Sequence, residues 1–381
     1  MTTYSPSLPQ SRRPRVAVTL GDPAGIGPEV IAKLLSNTAN TKNADIFLLA
    51  DRAELDSAIQ AAGGVKVPTS PEAGPDGVQL LDDMSASSFG TIPAQQTSKA
   101  AGQRTMHQLR RAVELARDGQ VDAIVFAPLN KSSLKAAGMH EEDELRWFAK
   151  QLSFAGTTSE INICGDLWTA RVTSHVGVEK VAGLVTRDST LRAIELLHRL
   201  RWESGIEAPR LAVCALNPHN GECGNFGRHE IDHIRPAVEA AQERGVAVEG
   251  PFPCDTIFLK RDRYDGIVTM YHDQGQIAMK LLGFDGGVTV QGGLPVVIAT
   301  PAHGTAFDIV GKNVASPVST QNAFDVAVTM ASRRLQRGLE AGATHVPAVS
   351  STEDNLGADS RLISEKGLGH VSVDDRIPAF G

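Results

Sequence analysis

Only four cysteines occur in 381 residues, at 164, 214, 223 and 254, and none belongs to a Cys-x-x-Cys pair. That scarcity excludes a disulfide framework, which small secreted scaffolds need and a chain of this size does not. Free thiols and a reducing, cytoplasmic setting are the expectation. Long apolar runs are missing as well: no stretch of about 18 uninterrupted apolar residues occurs, so no membrane span is expected. The apolar run near the start, "VAVTL", leads into "GDPAG", a turn rather than a cleavage site, so no secretory leader is expected. Positive charge is in deficit, with 37 Lys and Arg against 44 Asp and Glu and a formal net charge of -7. A broad nucleic-acid surface needs the opposite balance, which leaves small-molecule chemistry as the better expectation.

The chain does have enough apolar residues, 41%, to bury one large or two medium cores. Short β-rich runs alternate with helical patterns: "RVAVTL" with "GPEVIAKLLSN", "ADIFLLA" with "DRAELDSAIQAA", "VDAIVFAP" after "AGQRTMHQLRRAVELARDG". Further on come "INICG", "ARVTSH", "RLAVCALNP" and "GIVTMYH", with helical patterns between them. Such alternation predicts an α/β fold, with ligands beyond the carboxyl ends of the strands. Residues 1–14 and the stretch after about 345 are polar without sustained periodicity; they read as an N-terminal tail and a C-terminal extension over 346–381.

Several chemically capable residues follow apolar strands: Asp22, Asn130, Lys131, His175, His219 and His272. A single histidine in such a place is more often structural than a ligand. Three at the same address, His175, His219 and His272, could converge on one edge of the sheet, and three imidazoles around one ion leave room for water or substrate. Asp255, in "PCDTIF", is a candidate metal ligand, orienting carboxylate or catalytic group, whereas Asp273, beside His272, reads as a helix cap. "LNPHNGECGNFGRHE" (216–230) adds Cys223 and His229 near His219, but a zinc knuckle wants a second close Cys/His pair that the sequence lacks. "GDPAGIGPE" (21–29) reads equally as an anion-holding turn or as a tight strand-to-helix turn capped by Asp22. "HGTAFDIVGKNVASP" (303–317) is by itself a weak nucleotide signal.

Taken in order, "VAVTLGDPAGIGPEV", "NPHNGECGNFG", "DTIF", "YHDQGQ" and "HGTAFDI" resemble the 4-hydroxythreonine-4-phosphate dehydrogenase family of pyridoxal phosphate biosynthesis. The resemblance implies a fold similar to isocitrate and isopropylmalate dehydrogenases, with two α/β domains and a cleft between them. It implies a cofactor-side domain over 15–138 plus 291–345 and a substrate, metal and dimerisation domain over 139–290. It also implies a homodimer with a shared active site, NAD or NADP in the cleft, and one divalent metal (Zn, Mg, Mn, Co or Fe) on His175, His219 and His272. The cofactor's adenosine falls to the loop of His303, Gly304, Thr305 and Asp308, and Lys280 matches a substrate-binding lysine.

The departures concern the substrate. Where that family reads Gly-His-Thr-Glu this chain has "DELR", placing Glu144 and Leu145 where a His and a Thr hold the phosphorylated substrate. Counting on from Lys280, Thr289 and Ile298 replace an Asn and an Arg. These losses argue against a phosphate, because its donors go and Glu144 repels it. The expectation is therefore a divergent member, similar to the dehydrogenases of terephthalate or phthalate cis-dihydrodiols. Ile298 and the "LRWF" segment would meet the ring and Arg146 a distal carboxylate. The alternative is the vitamin-pathway dehydrogenase itself. For either, the expected reaction oxidises a hydroxyl β to a carboxylate and then decarboxylates, giving protocatechuate from terephthalate dihydrodiol, with Lys280 or Asp255 as base.

Overall fold

The computed structural model describes residues 12–283 and 286–340; the tail and the C-terminal extension expected above lie outside the described residues, apart from residues 12–14. One mixed sheet of twelve strands runs through it. In chain order the strands are β1 (Arg15–Thr19), β2 (Asp45–Leu49), β3 (Thr69–Ser70), β4 (Val78–Leu80), β5 (Ala123–Phe126), β6 (Ser159–Cys164), β7 (Leu167–Arg171), β8 (Leu211–Cys214), β9 (Val248–Phe252), β10 (Gly266–Thr269), β11 (Val288–Gly292) and β12 (Val297–Pro301). Their spatial order is β3-β4-β2-β1-β5-β12-β11-β6-β7-β10-β8-β9.

Strand direction divides this sheet. From β3 to β12 neighbours pair in parallel. β11 is antiparallel to both β12 and β6, and β6 is antiparallel to β7. Beyond β7 the pairing is parallel again through β10, β8 and β9. The two outer groups therefore point in opposite directions. The carboxyl ends of β1, β5 and β12 emerge at one edge, and those of β7, β10 and β8 at the other.

Because side chains alternate along a strand, each row of paired residues shares a face. On one face Val16, Val125, Ala299, Val290, Ile161, Trp168 and Val268 form a continuous apolar layer with Phe324 and Met330 of the helix Val318–Glu340. The opposite face is apolar at its two ends and polar in the middle. At one end Ala17, Ile124 and Ile298 pack on Met106 and Leu109 of the helix Lys99–Arg117 and on Leu145 and Phe148 of the helix Glu144–Gln151. At the other, Leu167, Ala212 and Ile267 meet Met279 of the helix His272–Leu282. Between them the register pairs Thr300 with Thr289, Thr289 with Asn162, Gln291 with Glu160 and Asn162 with Thr169, a band no apolar layer covers.

The helix starts follow local chemistry. Ser98 accepts from the Ala101 amide at 3.1 Å, and Asp143 from that of Arg146 at 2.8 Å, each taking up a first-turn N–H that has no partner inside its helix. Arg104, fully buried, is held by Glu54 and by Asp51 at 3.4 Å, so its charge is compensated where water cannot reach it. Among the described residues no helix is long and apolar enough to cross a membrane.

Candidate active site

The polar band is the floor of a cavity of about 350 Å³. Arg171 is its most constrained member: the guanidinium pairs with Glu160 and donates to Asn162 Oδ1 at 3.1 Å and Ser174 Oγ at 3.0 Å. Asn162 Oδ1 also accepts from Gln276 Nε2 at 2.7 Å, and Asn162 Nδ2 donates to Thr289 Oγ1 at 3.1 Å. Thr289 thereby has its hydroxyl proton free to donate elsewhere, a role its acceptor contact with Asn162 defines.

Walls rise from both edges of the sheet. From the β5 and β12 edge come Lys131, His303 and Gly304; from the β7 and β10 edge come His175 and His272. Glu144 and Lys280 enter from the helices Glu144–Gln151 and His272–Leu282. The strand ends named from the sequence lie on two opposite edges, and the face of the reversed strands between them forms the floor.

His175 and His272 stand with ring centroids 5.9 Å apart. Two imidazoles at about 2.0–2.1 Å from one ion put their rings within such a distance. Each ring has its Nδ1 engaged by a carboxylate, Asp143 Oδ2 at 3.1 Å for His175 and Asp273 Oδ1 at 2.7 Å for His272. Since an ionised carboxylate only accepts, both Nδ1 atoms carry the proton and both Nε2 lone pairs are left for a ligand. His219 does not line this cavity but follows β8, which neighbours β10 as β10 neighbours β7. The three histidines therefore occupy one edge on three adjacent parallel strands.

The His219 loop has an unusual backbone. His219, Asn220, Gly221, Glu222 and Cys223 all have φ between 42° and 74°, a left-handed turn that costs about 1 kcal/mol or more for each residue with a Cβ. Glu230, 1% exposed, holds it: one oxygen accepts from the amides of Leu216 and Asn217 at 2.9 and 2.8 Å, the other from Asn217 Nδ2 at 3.0 Å. A Cβ on Gly221 would lie 2.6 Å from the Glu230 carboxylate, so this turn needs glycine there. No second Cys/His pair joins His219 among the described residues, and the zinc-knuckle reading finds no partner set.

Not every expected substrate residue reaches the cavity. Leu145 and Ile298 are 3% and 0% exposed inside the apolar layer beside it, while Arg146, exposed on the same helix, and Asp255, exposed at the start of the helix Cys254–Ile257, do not line it. Helical geometry explains Leu145 and Arg146: with Glu144 turned to the cavity, its neighbours at one and two positions further cannot face it as well. Thr305 and Asp308 also lie outside the lining. Thr305 instead ties two motifs together, its carbonyl accepting from the Ile26 amide at 3.0 Å where a Cβ on Gly25 would lie 2.8 Å from its side chain. "GDPAGIG" is therefore a packed turn, with Asp22 Oδ1 accepting from the Ala24 amide at 2.8 Å. Asn130 caps the helix Lys131–Ala136 through the Ser133 amide, and Asp273 binds an imidazole rather than a helix end.

Charge in the cavity also differs from the sequence-based count. Lys131, Arg171 and Lys280 bring three basic side chains to face the carboxyl groups of Glu144 and Glu160. Burial raises the Glu144 carboxyl above its ordinary range, while Lys131 pulls it back down. The residues this count overlooked, Glu160, Asn162, Arg171, Gln276, Gln291 and Thr300, had one visible signal. "SEINIC" alternates polar and apolar residues in what reads as a buried strand.

Comparison with known proteins agrees with this chemistry. The family description of the pyridoxal phosphate biosynthetic protein PdxA matches residues 42–327. A Pseudomonas aeruginosa protein provisionally named 4-hydroxythreonine-4-phosphate dehydrogenase 2 is 48% identical over 339 residues, covering 86% of this chain and 98% of that protein. A Beijerinckia indica 4-hydroxythreonine-4-phosphate dehydrogenase is 38% identical, covering 83% of this chain and 94% of the relative. Among solved structures, 4-hydroxythreonine-4-phosphate dehydrogenase of Klebsiella pneumoniae superposes with a TM-score of 0.73 at 32% identity, covering 84% of this chain and 99% of that one. The terephthalate 1,2-cis-dihydrodiol dehydrogenase of Burkholderia xenovorans stands further off, at a TM-score of 0.61 and 26% identity, covering 88% of this chain and 100% of that one. These identities overturn the dihydrodiol reading in favour of its alternative, and the aromatic product goes with it.

Proposed function

Since the chain belongs to the family of the pyridoxal phosphate biosynthetic protein PdxA, we propose that it is a metal-dependent NAD(P) dehydrogenase that oxidises a hydroxyl of a phosphorylated hydroxy-amino acid, 4-hydroxythreonine 4-phosphate or a close analogue. The observation that carries this reading is the meeting, in one cavity, of the His175–His272 pair, two exposed lysines and the His303–Gly304 loop.

His175 and His272, with His219 as a third, are the residues that would hold the metal. A nitrogen donor set suits Zn, Co or Fe better than Mg, which prefers oxygen. When bound, the ion would supply a Lewis acid that lowers the pKa of the reacting hydroxyl, and the nicotinamide cofactor would supply the acceptor for its hydride. The chain's own part is binding and proton handling. Lys131 supplies positive charge for a phosphate, a charge-assisted hydrogen bond contributing about 1.5–3 kcal/mol. Lys280 is the better placed of the two expected bases, because Asp255 stays outside the cavity. Thr289 and Gln291 offer neutral donors from the floor, and Glu144 borders the same space.

His303, Gly304, Thr305 and Asp308 form the cofactor loop in this reading, with Thr305 anchoring it to the first turn of the chain. The reversal of strand direction at β11 supports a division into a cofactor side (15–138 plus 291–345) and a substrate side (139–290) resembling isocitrate dehydrogenases. A homodimer with a shared active site would complete the cavity near the exposed Val178, Ile277 and Leu281.

The test follows NADH or NADPH absorbance with metal-loaded protein and 4-hydroxythreonine 4-phosphate, with unphosphorylated 4-hydroxythreonine alongside. Turnover that requires both phosphate and metal is the expected result. Equal turnover of the two compounds, or none, would sink the proposal.

A further inference from the structure

Asp143 stands at the start of the helix Glu144–Gln151, and its two oxygens have different duties. Oδ1 accepts from the Arg146 amide at 2.8 Å and caps the helix that carries Glu144. Oδ2 meets Nδ1 of His175 at 3.1 Å. Asp143 is 5% exposed, so neither contact is diluted by bulk water. The matching carboxylate at His272, Asp273, has a side chain 67% exposed, where water competes for the same nitrogen. Glu142 lies 3.7 Å from His175 Nδ1, beyond hydrogen-bond range, and its side chain is 49% exposed. Of the groups around the pair, only Asp143 is both buried and bonded at two points.

We infer that Asp143 is a positioning residue that fixes the tautomer and ring orientation of His175. With its Oδ1 committed to the helix start, the carboxylate cannot swing away, and its Oδ2 compels His175 to hold the proton on Nδ1. Nε2 is then kept as a lone pair on the cavity side of the ring. One side chain thus couples the helix bearing Glu144, a cavity wall, to the imidazole that faces it. The tautomer assignment stands on geometry alone; its value for metal binding rests on the function proposed above.

Two substitutions in the full chain separate the two duties. In Asp143→Asn the amide oxygen can still cap the helix, but the amide nitrogen can only donate, so it faces His175 Nδ1 as donor to donor. In Asp143→Ser the hydroxyl can cap but is too short to reach the ring. Long-range proton–nitrogen NMR on histidine-labelled metal-free protein reads the tautomer, Co²⁺ titration followed by its d–d absorption reads affinity, and thermal unfolding reads the cap. The expectation is Nδ1–H on His175 in the unmodified chain and Nε2–H in Asp143→Asn. Both variants should melt near the unmodified chain, and both should lose Co²⁺ affinity by about 10–100-fold. A tautomer that is Nε2–H from the start, or that ignores the Asn substitution, overturns the inference. So does lost affinity with an unchanged tautomer, which would make Asp143 itself a ligand. If the unmodified chain bound no Co²⁺ while the tautomer still switched, the metal reading would fall and the positioning role would be upheld.

Discussion

Asn217 gives both its backbone amide and its side-chain amide to the two oxygens of Glu230, at 2.8 and 3.0 Å. The clamp sits immediately before the left-handed turn that carries His219, and it is what keeps an unfavourable backbone in place. Replacing Glu230 by Ala leaves these donors without partners and should cost about 2–4 kcal/mol in urea unfolding. Hydrogen exchange should rise first at residues 216–224, and a uniform rise across the fold would show that the clamp is not local.

Ile298 sits where the resembled family has a substrate-binding Arg, yet it is 0% exposed in an apolar layer. Ile298→Arg should therefore fail to improve phosphate binding and should lower the melting temperature sharply, since it buries an unpaired charge. A soluble variant with unchanged melting and tighter substrate binding would place residue 298 in the cavity after all.

Lys131 borders the cavity beside Glu144 and supplies part of its positive charge. Lys131→Ala should raise KM for a phosphorylated substrate by about 10-fold or more, with a smaller effect on kcat, because one charged contact contributes about 1.5–3 kcal/mol. Steady-state kinetics check this; an unchanged KM would remove Lys131 from the phosphate site.

Asp22 is 1% exposed, one of its oxygens has no hydrogen-bond partner, and burial raises its carboxyl above the ordinary range. The folded chain then holds this proton to a higher pH than the unfolded chain does. Its destabilising effect is absent below the ordinary carboxylate range and develops as pH rises through the raised value. Asp22→Asn, whose oxygen can still accept from Ala24, should gain stability relative to the parent at pH 8 and lose that gain near pH 4. Denaturant unfolding at the two values decides, and a gain that grows on acidification contradicts the sign.

Much of the fold was readable because hydrophobic periodicity is local. The strands β1, β2, β5, β6, β8 and β10 and the helices between them lie on the runs named from the sequence, whereas "ARVTSH" meets β7 only at Ala170 and Arg171. β9 and the hairpin-like pair β11 and β12 were harder: "VEGPF" contains Gly and Pro, and the other two are five residues each between turns. The site was legible only as a set of residue types. His175 and His272 meet in the cavity as chemistry suggested, with Lys280, which the family resemblance named, but which strand end faces which edge depends on the antiparallel turn of β11 and β6, a long-range pairing that no local pattern encodes. The same blindness put Leu145 and Ile298 in the pocket: counting along a motif aligns positions, but not which way Leu145 turns on its helix, nor which helices cover the end of the sheet face that Ile298 shares with Thr300.

Along β6 and β11 side chains alternate between two faces, Glu160, Asn162, Thr289 and Gln291 on the cavity face and Ile161, Ile163, Val288 and Val290 on the core face, with Ile163 and Val288 also bordering the cavity. That parity makes the pocket separately editable. A library varying only 160, 162, 289 and 291 explores new substrate chemistry while leaving the opposite layer untouched. Deleting a single residue within β11 would do the reverse, turning valines toward the ligand and a glutamine into the oil.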